Sequence, residues 1–181
     1  MDKHPVSETK YSFLTFDSAV KLISNFQTKF SSESQVKTII EDITPRIGVN
    51  SRLDLALKTA EQLLANSRKS SKKAVVIYTD KEPTGDAEGI AAGGTAKALE
   101  DQGIQVIVVL LNMSSVPETV GKITPNKKSV IPATGGKDAK NVVKKIGEVL
   151  KGGIDFLDFY SVLTALVTFS DGLRNGQSPF K

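Results

Sequence analysis

Residues 72–111 constrain the fold of this chain more than any other stretch. An apolar run, Ala74–Tyr78, ends in Thr79-Asp80; a polar loop follows, then a helical stretch closed by Gly103, then a second apolar run, Gln105–Leu111. Strand, crossover helix and strand make a βαβ unit, and strands joined in this way lie parallel. The second run is β-branched and almost uninterrupted, as a strand covered on both faces must be, which predicts an interior place for it. Parallel sheets bind their ligands beyond the carboxyl ends of the strands, so Asp80 stands where such a fold puts its chemistry.

The flanking segments extend this pattern. Tyr11–Phe16 and Ala19–Phe26, separated by Asp17-Ser18, predict a hairpin at one edge of the sheet. Val36, Ile39, Ile40 and Ile43 share a helical face that opens at Ser31–Ser34 and stops at Pro45. A second amphipathic helix carries Leu53, Leu55, Ala56, Ala60, Leu63 and Leu64, with Ser51 as its N-cap and Asp54 and Lys58 one turn apart as an ion pair. The crossover helix, from about Ala87 to Gln102, holds Ala91, Ala92, Ala96 and Leu99, and Gly93-Gly94 weakens its middle. A helical turn near Pro117–Ile123, a strand near Ser129–Ile131 and a helix Asp138–Leu150 complete the alternation, the last with Val142, Val143, Ile146, Val149 and Leu150 on one face. The fold class is α/β, a doubly wound, mainly parallel sheet flanked by helices.

Composition removes several functions. With 181 residues the chain is of a size for one domain with a real core. Its net charge of +4 comes from basic residues scattered in pairs such as Lys72-Lys73 and Lys127-Lys128, without the aromatic-plus-basic motif of a nucleic-acid reader. There is no cysteine, hence no disulfide or thiolate metal site. The single histidine, His4, falls in a polar tail expected to be flexible over residues 1–10, so no His-based acid–base or nucleophilic triad is available and the chain reads as non-enzymatic. Gly89–Leu99 and Gly135-Gly136-Lys137 lack the spacing of dinucleotide- or phosphate-binding loops, which leaves no expected cofactor. Ile154–Phe169 is apolar, yet too short and too acidic to span a membrane, for which roughly 20 apolar residues are needed. The first residues have no apolar core of a secretory leader, and Asn112-Met113-Ser114 is a glycosylation sequon that a secretory setting would make usable.

Four segments taken in order, Tyr11–Ser18, Ile47–Leu57, Val75–Asp80 and Ala96–Val109, closely resemble a von Willebrand factor type A domain over roughly Tyr11 to Leu150. The resemblance implies a Rossmann-like doubly wound sheet, here expected to span residues 11–151 and to be incomplete at its N-terminus. It also implies a metal-ion-dependent adhesion site on the upper rim, where an Asp-x-Ser-x-Ser loop, a threonine or serine before a helix, and a strand-end aspartate hold an ion, usually magnesium. Asp80 matches the strand-end aspartate and Ser51 the hydroxyl position. The Asp-x-Ser-x-Ser loop is not matched, nor are the first strand and helix expected before Tyr11, and Lys81 replaces the glycine that commonly follows the aspartate. Magnesium is then expected only if the loop is supplied from elsewhere. The missing strand would leave a gap in the sheet, and residues 152–181, with the apolar run Ile154–Phe169, are expected to supply a filler strand and a loose tail.

Function follows from the same resemblance: a protein–protein interaction or adhesion module, extracellular and part of a matrix protein, with collagen or other matrix components as partners. An intracellular scaffold for complex assembly or transport is the alternative, and use of the Asn112 sequon separates the two.

Overall fold

The structure is a computed structural model that describes residues 10–28, 32–43, 51–67, 72–82, 86–124, 126–134, 138–151 and 162–167. Six strands, β1 (Lys10–Phe16), β2 (Val20–Ser24), β3 (Lys73–Thr79), β4 (Gln105–Leu111), β5 (Val130–Ala133) and β6 (Val162–Val167), form one sheet in the order β2-β1-β6-β3-β4-β5. Only β2 is antiparallel to its neighbour; β1, β6, β3, β4 and β5 all run the same way. Five carboxyl ends therefore share one rim. The helices are α1 (Glu33–Glu41), α2 (Leu53–Ala65), α3 (Asp86–Asp101), α4 (Glu118–Ile123) and α5 (Ala139–Lys151), with a 3-10 turn at Lys127–Ser129 before β5.

The alternation of side chains along β3 and β4 divides the core in two. Val75, Ile77, Val106, Val108 and Leu110 point to one face, where they pack with Leu14 and Phe16 of β1, Leu53, Leu57 and Leu64 of α2, and Ala92, Ala96 and Leu99 of α3. Ala74, Val76, Ile107, Val109 and Leu111 point to the other, against Ile131 and Ala133 of β5 and Val142 and Leu150 of α5. A strand clothed on both faces has no polar alternation, which is why β4 reads as a continuous apolar run. Each fully buried Leu, Ile or Phe here contributes about 1.5–3 kcal/mol.

Punctuation accounts for the element ends. Gly103 has φ +76°, a left-handed conformation that glycine adopts without a Cβ clash, and it closes α3 through Gly103 N–H to the Glu100 carbonyl at 2.8 Å. Gly93, in the middle of α3, is buried where α4 crosses: a Cβ built there would lie 2.9 Å from the Lys122 carbonyl oxygen. Its loss of helix propensity is thus the condition for close approach of two backbones. Of the apolar segment Ile154–Phe169, Val162–Val167 form β6, paired in parallel with β1 (Lys10↔Val162 to Thr15↔Val167) and with β3 (Lys73↔Val162 to Tyr78↔Val167).

Three expectations are corrected. Ser51 is not the N-cap of α2: the cap position falls to Arg52, which makes no side-chain cap hydrogen bond, and the Ser51 carbonyl accepts from Leu53 N–H instead. Asp54 pairs with Arg52 rather than Lys58, by Nε to Oδ1 at 2.9 Å and Nη2 to Oδ2 at 2.8 Å, because the guanidinium fork matches both carboxylate oxygens. Val143 is 68% exposed, since Val142, Ile146, Val149 and Leu150 already fill the α5 stripe against the sheet. Pro45, Gly135–Lys137 and the tail Ser170–Lys181 lie outside the described residues.

Candidate functional site

The common direction of five strands gathers Asp17, Asp80, Asn112 and Thr134 on one rim, each directly after its strand. Thr79, the last residue of β3, is 2% exposed and bends the chain behind it: its hydroxyl donates to the Lys81 carbonyl at 2.7 Å and accepts from Lys81 N–H at 3.4 Å. This tight turn fixes Asp80 at the rim and buries its Oδ1. Lys81 follows Asp80 within the same turn.

Ser51 reaches the same rim by a different route. Arg52 N–H donates to the Asp17 carbonyl at 2.8 Å, which ties the start of α2 to the end of β1, and Ser51 is held in this junction at 1% exposure. Asp17 is 6% exposed and turned back on its own loop, where Oδ1 accepts from Ala19 N–H at 2.9 Å and from the Ser18 hydroxyl at 3.4 Å. The Arg52 guanidinium beside Asp54 holds that carboxyl below its ordinary value. β6 stands between the strands that carry Asp17 and Asp80, two strand spacings apart, or about 9.5 Å.

Asn112 continues the rim beyond β4. Its φ of 55° is a left-handed conformation that asparagine tolerates better than most residues, and its N–H donates to the Ala133 carbonyl at 2.7 Å, closing β4 onto β5. The side chain is exposed, as a glycan acceptor requires. Past β5, Thr134 donates to Asp138 Oδ2 from its hydroxyl and, at 2.8 Å, from its backbone N–H; these two bonds, the hydroxyl one first, draw the Asp138 carboxyl below its usual range. Glu82 and Thr119 join the loop after β3 to the first turn of α4, Thr119 Oγ1 donating to Glu82 Oε1 at 3.0 Å. Ile90 near the start of α3, 67% exposed, and Val116 before α4, 55% exposed, add apolar surface beside this bridge.

Both residues assigned to a metal thus lie on the rim, Asp80 after β3 and Ser51 before α2. Together they offer one carboxylate and one hydroxyl, short of the donor set the resemblance calls for, and among the described residues no three His, Cys, Asp or Glu side chains come together to hold an ion. Sequence reasoning missed Asp17, whose backbone carbonyl makes the junction with α2 while its carboxylate shapes its own loop; the Asp-Ser dipeptide between two short strands was its only signal. Among the described residues nothing hydrogen-bonds Oγ1 of Thr15, the last buried hydroxyl of β1.

Comparison with known proteins points the same way. The family model described as von Willebrand factor type A domain matches residues 6–148. Proximal thread matrix protein 1 from the mussel byssus is similar in structure, with a TM-score of 0.64 at 21% identity over 75% of this chain and 35% of that one. A second crystal form of that protein gives 0.62 at 14% identity over 78% and 34%. A further structure of it, with a zinc-occupied MIDAS motif, gives 0.62 at 21% identity over 75% and 34%. The chain spans about a third of the length of these solved structures. Among the described residues no helix is long and apolar enough to cross a membrane.

Proposed function

The chain belongs to the von Willebrand factor type A domain family, and from that premise we propose that it is a non-enzymatic protein–protein interaction and adhesion module of an extracellular matrix protein. The carrying observation is the rim itself: five parallel strands deliver Asp80, Ser51, Asn112 and the Glu82–Thr119 bridge to one surface, with Ile90 and Val116 exposed beside it. Interfaces combine such apolar contacts with a polar surround, and loops on a rigid scaffold are their usual carriers. The partner is a matrix component, collagen among the candidates; the mussel protein of similar fold is itself named for a thread matrix. β6 takes, in this reading, the central place that the family's first strand holds, and residues 11–151 with β6 form the domain. Asp80 and Ser51 are the ligands this chain would contribute to a metal site whose loop came from elsewhere.

The test is binding of the whole chain to immobilised fibrillar collagen and to a panel of matrix proteins. Ile90→Asp with Val116→Asp should weaken binding at least tenfold while the unfolding midpoint stays within about 2 °C. Equal binding by this variant removes the rim from the interface. Expression through a secretory route should add one glycan that Asn112→Gln abolishes; an unmodified secreted chain would count against the extracellular assignment of this site.

A further inference from the structure

A cleft of about 840 Å³ opens at the opposite edge of the sheet from the rim, where β4 and β5 begin. Lys127 and Lys128 of the 3-10 turn, Lys145 and Glu148 of α5, Glu100 of α3 and Gln105 of β4 are among its lining residues. Its walls are fixed. Asn126 Oδ1 accepts from Lys128 N–H at 3.1 Å and the Asn126 carbonyl accepts from Ser129 N–H at 2.8 Å, so the turn that carries two lysines is pinned. Gln105 Nε2 donates to the Val149 carbonyl at 3.4 Å and joins α5 to the floor.

The charges of this cleft are unbalanced. None of Lys127, Lys128 and Lys145 has a carboxylate within ion-pair distance among the described residues, whereas Glu148 already faces Lys144 at 3.8 Å. Glu100 accepts from the Thr124 hydroxyl at 3.5 Å, and burial raises its carboxyl above the ordinary range. Three lysines on a pinned frame thus line a space the size of a small-molecule site, Lys145 acting also on the Asp138 carboxyl. Among the described residues no aromatic side chain lines it, so they offer neither a nucleobase nor a neutral sugar a stacking surface. Pro132, exposed on the edge strand β5, lacks the N–H that an added peptide strand would need.

We propose that this cleft binds a short stretch of sulfated polysaccharide, its sulfate groups on Lys127, Lys128 and Lys145 and its hydroxyls donating to Glu148. The site is independent of the rim, so one domain holds a protein partner at one end and a matrix glycan at the other.

The experiment is calorimetric titration of the whole chain with a sulfated uronate–glucosamine tetrasaccharide. Expected are saturable one-to-one binding and a loss of about tenfold or more between 50 and 200 mM salt, as release of counterions from three charge contacts requires. Lys127→Ala, Lys128→Ala and Lys145→Ala combined should abolish binding, and Lys21→Ala with Lys58→Ala, on β2 and α2, should leave it within twofold. Backbone amide shifts of the unaltered chain on titration should cluster at Gln105 and Lys127–Val130 whether or not the triple variant folds. Absence of saturable binding, equal loss in the control variant, or shifts scattered over the surface overturns the proposal. So does a desulfated tetrasaccharide or a glutamate-rich peptide that binds as tightly.

Discussion

Gly93 and Gly94 are neighbours in one helix, and alanine at the two positions should act with opposite signs. Either replacement gains about 1 kcal/mol of helix propensity. At Gly94, exposed, a new Cβ meets nothing within 4 Å, so that gain is the whole effect. At Gly93 the Cβ would stand 2.9 Å from the Lys122 carbonyl oxygen and 3.5 Å from the Lys122 Cβ, so α4 must move away. Forcing extra volume into such a packed seam costs about 1–3 kcal/mol. The propensity term is common to both and cancels, so the difference between the variants isolates the steric cost at about 1–3 kcal/mol, with Gly94→Ala about 1 kcal/mol more stable than the parent. Urea unfolding followed by far-ultraviolet circular dichroism reads both; in thermal unfolding the two midpoints should stand about 2–12 °C apart. If both variants gain equally, α3 and α4 do not approach as closely as described, and the account of Gly93 fails.

Gly103→Ala should destabilise by about 1 kcal/mol, because φ +76° strains any residue with a Cβ; an unchanged urea midpoint would refute the cap. Asp54→Asn should lose up to about 1 kcal/mol at neutral pH. The folded carboxyl lies below its ordinary value of 3.8, so the Arg52 pair stabilises fully above that value and is lost as pH falls through the folded one; parent and variant should converge in acid. Burial pushes the Tyr78 hydroxyl up to about 12, from 10.0. Below pH 10 both states are neutral and nothing is contributed; above it the unfolded chain ionises first, so stability should fall between about pH 10 and 12, and Tyr78→Phe should flatten that fall.

The parallel core was legible because its signals are redundant. β3, α3 and β4 lie within one residue of their expected bounds, since the apolar runs and the Gly103 stop are written locally. The partner of Asp54 was not, because rules for helix spacing describe residues inside a helix, and Arg52 sits at the cap, where the backbone leaves helical geometry and lets the guanidinium fold back. Val143 was misplaced since a thirteen-residue helix of mixed character supports a wider stripe than the sheet can cover. Asp80 and Ser51 were placed at the rim by parallel topology and by resemblance, whereas the cleft at the other edge was invisible: Lys127, Lys128 and Lys145 are ordinary surface lysines until the turn and α5 are brought together.

The place of β6 sets a timetable for assembly. β1 leaves the ribosome about 150 residues before its parallel partner, residues 162–167, and β3 waits for the same segment. Until that stretch emerges, the β2-β1 hairpin and the β3-β4-β5 ladder are two half-sheets with open edges, each at risk of pairing with a neighbouring nascent chain. β6, the last made of the described strands, is the keystone, and a sheet that closes through so distant a segment closes slowly.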